Sequence, residues 1–201
     1  MVNNSRNLSL ALLVATLLAV AYLAFVGSQN SPPLGLLGDV HEHAGFKVYL
    51  DGEQFNFTNG KYMSEEGDLR SNFVHLHDMN GEILHKHVSG IRLKEFFGSI
   101  GMVFNSTCFV TDEKKAYCNS EGKTLKFFVN GGQNLQFGEY EFKDLDKLLI
   151  SFGGESKADI ALQLASISDN ACIYSKKCPE RGEPPDESTC ATWENCKAIG
   201  G

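Results

Sequence analysis

Phe73-Val74-His75-Leu76-His77-Asp78-Met79-Asn80-Gly81-Glu82-Ile83-Leu84-His85-Lys86-His87-Val88 is the stretch whose reading decides the fold. Apolar and polar residues alternate on both sides of a turn-forming centre, which is the pattern of a β-hairpin. Each arm carries a His-x-His pair, and the period of two along a strand sets both rings of a pair on one face. The loop then decides whether the two pairs meet. A two-residue Asn80-Gly81 loop would turn His85 and His87 away from His75 and His77. A three-residue Met79-Asn80-Gly81 loop sets Asp78 against Glu82 and His75 against His85, so that all four rings share a face. Asp78 suits the first position of a type I turn and Gly81 the left-handed position of its bulge, so the three-residue loop is expected.

A third pair, His41-Glu42-His43, precedes the hairpin, and the three pairs account for all six histidines of the chain. Six clustered imidazoles would repel one another if protonated, whereas neutral rings around a cation would not. His41, His43, His75, His77, His85 and His87 are therefore candidate ligands for a transition metal ion, with zinc and copper the foremost choices. Asp78, Glu42 and Glu82 are candidate oxygen ligands, or partners that orient an imidazole. Met63 and Met79 are candidate sulfur donors for copper. The competing reading is a hydrogen-bonded or pH-sensitive histidine patch that binds no metal.

Working outward toward the N-terminus, Phe46, Val48 and Leu50 alternate up to an Asp51-Gly52 hairpin turn, and Phe55 and Phe57 continue the alternation on the return. His41 and His43 have the opposite parity and should lie on the other face of that strand. Residues 28–39 are rich in Gly, Pro and Ser and read as a linker. Before it, Leu8 to Val26 is an uncharged apolar run of nineteen residues. At 1.5 Å rise per residue that reaches roughly the 30 Å thickness of a bilayer core. Its length favours an uncleaved membrane anchor (residues 1–27) over a signal peptide. Arg6 precedes the run and no charge follows it until Asp39, so the rest of the chain is expected outside the cytoplasm, on a single-pass membrane protein.

Toward the C-terminus, helical spacing of Leu93, Phe96, Phe97 and Ile100 predicts a short helix over 91–101. Residues 103–110 read as a strand, 125–129 and 135–137 as a hairpin, 147–152 as a last buried strand, and 155–167 as a helix. Six cysteines in an extracytoplasmic chain read as disulfides, with Cys108 and Cys118 the simplest pair. Cys172, Cys178, Cys190 and Cys196 staple a Pro-containing tail (169–201), and three connectivities are open for them. That tail is expected to grip the domain or a neighbour. The element order predicts an α+β domain over 40–168, a β-grasp-like mixed sheet of hairpins with one packed helix.

Composition narrows the function. A hydrophobic content of 42% with 14 Phe supports a packed core and excludes a disordered chain. A net charge of −7 without a Lys/Arg cluster argues against nucleic-acid binding. The expected contact is with the membrane, through the N-terminal helix; a protein partner in the envelope is left open.

HEHAGFKVYLDG, YMSEEGDLRSNFVHLHDMNGEILHKHVSGIRLKEFFGSIGM and LKFFVNGGQ…DLDKLLISFG together resemble a mostly uncharacterised family of membrane-anchored, extracytoplasmic proteins of archaea and bacteria. The resemblance covers roughly residues 40–155. It rests on His-x-His before a strand ending in Asp-Gly, His-x-His-Asp, a His-rich return strand and a Leu-x-x-Phe-Phe helix. Some members carry the label protein-disulfide isomerase. Such chemistry uses an exposed low-pKa thiolate, usually in C-x-x-C, and no such spacing occurs here. The leading expectation is a membrane-tethered metal-binding module. A metal-dependent enzyme, an envelope interaction domain without metal, and thiol–disulfide chemistry are the alternatives.

Overall fold

A mixed β-sheet with its two longest strands side by side and parallel forms the frame. The computed structural model describes residues 12–20, 22, 33–64 and 70–184. β1 (Glu42–Leu50) runs parallel to β10 (Lys147–Gly153), with Phe46 level with Leu148 and Leu50 with Phe152. On one side β1 pairs with β4 (Ile83–Lys86), which pairs with β3 (Val74–His75). On the other side β10 pairs with β8 (Thr124–Val129), which pairs with β9 (Gly132–Gln133). The order is β3-β4-β1-β10-β8-β9, with β2 (Glu53–Gln54) on β1. Every pair except β1–β10 is antiparallel.

The alternation in β1 sorts the interior into two faces. Ala44, Phe46, Val48 and Leu50 join one core with Leu84 of β4 and helix α2 (Leu93–Ser99), whose Phe96 and Phe97 are fully buried. Their rings meet Phe46, Phe57 and Phe109 at centroid distances of 5.8, 6.4 and 5.1 Å, the range of edge and offset contacts. The opposite face carries helix α3 (Lys157–Ala165), which packs Ile160 near Leu149. The mixed α+β class is as expected, but α3 is a second packed helix, on the face opposite α2. On α3, Ala161 is exposed and the polar Gln163 is buried.

Residues 103–110 are two strands, not one. β5 (Val103–Phe104) and β6 (Cys108–Val110) fold back because Asn105 Oδ1 accepts from the backbone N–H groups of Thr107 and Cys108. β7 (Ala116–Cys118) completes this small sheet, and Cys108 and Cys118 are level with each other and disulfide-bonded as expected. Residues 135–137 do not form a strand: the return arm ends at Gln133, and Phe137–Glu139 is a 3-10 turn that buries Phe137.

The end of the expected linker is docked. Gly35 N donates to Ser89 O, Gly38 N to His87 O, and Ser89 N to Asp39 Oδ1. Earlier in the chain, residues 12–20 form helix α1, whose described apolar side chains are exposed. No helix among the described residues is long and apolar enough to cross a membrane, and the rest of the Leu8–Val26 stretch lies outside them. Cys190 and Cys196 also lie outside the described residues.

Candidate metal centre

The hairpin has the expected register and a different turn. His75 is level with His85 and Val74 with Lys86, as the three-residue loop required. β3 ends at His75, however, and Leu76 leaves to bridge Met63. The reversal itself is made by Asp78 and Met79, both at positive φ (57° and 55°), with Asn80 N donating to His77 O at 3.0 Å. That is a type I′ turn. Gly81 is needed for a separate reason: a Cβ there would stand 2.6 Å from Phe57 C and 2.7 Å from Thr58 N.

The third pair opens β1, with His41 just before the strand and His43 within it. His43 is level with His85 and Glu42 with Lys86, so His43, His85 and His75 form a row across three adjacent strands. Directly opposed residues of antiparallel strands project on the same side. All six rings therefore gather on one face. Ring contacts run from His41 to His43 (4.7 Å), His43 to His85 (4.7 Å), His85 to His77 (3.9 Å), and from His87 to both His41 (4.9 Å) and His75 (5.0 Å). His43, His75, His77, His85 and His87 are buried, and His41 is exposed at the edge.

Within the patch, His41, His43 and His85 offer one ligand atom each, all within 4.8 Å of one another, a set that can hold a metal ion. His41 and His43 stand at a spacing of two at the start of β1, His41 one residue before the strand, and His85 comes from the neighbouring β4. Donors around a tetrahedral zinc at about 2.0–2.1 Å stand roughly 3.4 Å apart, so the rings must draw in slightly on loading. The exposed position of His41 leaves it room to do so. The donor chemistry fits zinc or copper.

The remaining candidates fall in different places. Asp78 Oδ2 sits 2.6 Å from His77 Nδ1, and His77 Nε2 sits 3.1 Å from His85 Nδ1. A carboxylate only accepts, so His77 donates from Nδ1 and accepts at Nε2 from the Nδ1–H of His85. The lone pair of His85 then falls on Nε2. Burial, and after it the neighbouring His77, His43, His75 and His87, hold the His85 pKa well below the ordinary imidazole value and keep the ring neutral. His75 Nδ1 donates to Ser71 O at 2.8 Å.

Glu42 is not part of the centre. One residue from His41 and His43, it must point to the opposite face, where Lys86 Nζ lies 2.5 Å from its Oε2. Lys86 is fully buried and also reaches Glu141 (3.3 Å) and the Phe142 carbonyl (2.6 Å). Glu82 pairs with Lys47 at 3.1 Å. Met63 lies in the α2-side core and Met79 is exposed in the turn, so neither supplies sulfur to the three histidines.

The expected grip of the tail takes a specific form. Cys172 and Cys178 are bonded, which selects one connectivity among the described cysteines. Helix α4 (Ala171–Tyr174) begins one residue before that loop and runs into it. Tyr174 stands 5.2 Å from the His85 ring and 5.7 Å from that of His43, and its hydroxyl accepts from Asn80 Nδ2 at 2.7 Å. Gly45 lets the incoming chain approach β1 closely: a Cβ there would stand 2.9 Å from Ser168 O. Ser175 Oγ lies 2.8 Å from His43 Nδ1 and donates to Asp144 Oδ1, which also accepts from His43 N. Burial pushes the Asp144 carboxyl up, but Lys177, Ser175 and the His43 amide outweigh it and hold it below its usual range. Nothing in the sequence pattern marks Ser175, Asp144 or Tyr174 as site residues; the short Cys172–Cys178 spacing is the one signal that a loop closes there.

Comparison with family models, curated proteins and solved structures gives no match.

Proposed function

We propose that the chain is an extracytoplasmic, membrane-tethered module that binds zinc or copper through His41, His43 and His85. The observation that carries this reading is the convergence of three imidazoles, two from the start of β1 and one from the adjacent β4, within 4.8 Å. Buried, hydrogen-bonded rings at one end and an exposed ring at the edge suit an ion that enters and leaves.

Tethering and location are supported by the nineteen-residue uncharged stretch, by the exposed apolar side chains of α1, and by two disulfides, which persist in oxidising compartments. The β-grasp-like description is supported by the parallel β1–β10 pair with α2 between the two halves of the sheet. Membership of the resembled family of anchored proteins belongs to the same proposal.

The test is metal analysis of the full chain purified in detergent, followed by titration with Zn²⁺ and Cu²⁺. One equivalent of ion, lost in H43A and H85A, is the expected result. No bound metal and an unchanged melting temperature with either ion would overturn the reading in favour of an envelope interaction domain.

A further inference from the structure

The Cys172–Cys178 loop does more than close the tail, because it delivers a hydroxyl to a ring of the metal centre. Ser175 has one proton to give. Asp144 gathers three donors, the Ser175 hydroxyl, the His43 amide and the Lys177 ammonium, and a carboxylate accepts only. The hydroxyl proton therefore goes to Asp144, and Ser175 Oγ is left to accept from His43 Nδ1–H at 2.8 Å. Hydrogen-bond chemistry thus places the His43 lone pair on Nε2. The same logic, running from Asp78 through His77, places the His85 lone pair on Nε2.

We propose that the disulfide-closed loop 172–178 is the clasp of the metal centre: Ser175, anchored by Asp144, holds His43 as the Nδ1–H tautomer with Nε2 toward the ion. The inference rests on the metal reading and adds a division of labour to it. His43 and His85 bind through Nε2. Ser175, Asp144 and His77 are positioning residues that act through those rings without touching the ion. Partners that fix a ligand's tautomer and orientation typically matter about 10–100-fold in metal affinity. The cross-link is part of the device because a short closed loop restricts where Ser175 can go. Tyr174 anchors the same loop to Asn80 at the hairpin turn.

The experiment uses the full chain in detergent. In metal-free, ¹⁵N-labelled protein, His43 should show a protonated Nδ1 and an unprotonated Nε2, and S175A should mix the tautomers. In Zn²⁺ competition titrations S175A and H77A should each bind about 10–100-fold more weakly, with S175T close to wild type. The double variant C172S/C178S should weaken binding in the same direction, and S175A should add little on top of it. A wild-type His43 protonated on Nε2, or an S175A protein that melts lower but binds Zn²⁺ as wild type does, would overturn the clasp. Wild-type protein that binds no Zn²⁺ or Cu²⁺ would instead overturn the metal reading, while the tautomer measurement still decides the relay.

Discussion

On one face of β4, Leu84 and Lys86 point toward the side of the sheet that carries α2; on the other, His85 faces Tyr174, and His87, just past the strand's end, joins the histidine cluster. All four side chains are buried, yet the two faces are held in different ways. Leu84 lies in a Phe-rich interior, where burial itself stabilises and no partner is needed. The imidazoles gain little from burial and are fixed by hydrogen bonds to Ser71, Asp78 and Ser175. Lys86 is the exception on the apolar side, compensated by Glu42, Glu141 and a carbonyl. The apolar face therefore sustains the fold, and the histidine face maintains a geometry.

The largest expected effect breaks the apolar face. F97A removes a fully buried ring and should cost about 3–5 kcal/mol in chemical denaturation. Next is K86M, which removes the buried cation joining Glu42 to Glu141 and leaves Glu141 only Lys143; a loss of about 3 kcal/mol is expected by the same measurement. An equally stable K86M protein would mean that the ion cluster contributes nothing.

H85A separates the two faces. It should weaken Zn²⁺ binding by roughly 100-fold or more. In metal-free protein it should cost far less stability than F97A, because the deleted ring is polar and hydrogen-bonded. A metal-free loss as large as that of F97A would erase the contrast.

The smallest effects are in pH. His85 has its pKa lowered by burial and by the surrounding rings of His77, His43, His75 and His87. Below about pH 6.5 the unfolded chain takes up a proton there that the native ring refuses, so metal-free stability should fall as pH drops from that point. H85Q should flatten this slope. Glu141 responds lower down. Burial pushes its carboxyl up, but the Gly90 amide, Lys143 and Lys86 bring it to about 2. Its contribution is present above its usual value of 4.5 and should be lost as pH falls toward 2. E141Q should remove that lower window and leave the upper one.

Much of the centre was legible because strand geometry is local. A period of two placed each histidine pair on one face, and the same rule, applied to Glu42, excludes it from that face. The His75–His85 register was readable although the turn was not: Asp78 and Met79 take left-handed conformations that a methionine seldom adopts. The broken strand at 103–110 turned on a side-chain acceptor, Asn105, that periodicity does not register.

By itself, then, the chain's alternation determined the mixed sheet, the shared face of the histidines and the Cys108–Cys118 pair, since each follows from neighbours along a strand or across a hairpin. Only the tertiary structure decided which three rings stand close enough to share an ion, that Tyr174 of α4 packs against two of them, and that Ser175 and Asp144 reach His43. Those contacts join residues up to 132 positions apart, and they depend on the path the chain takes after β10, which no local spacing encodes.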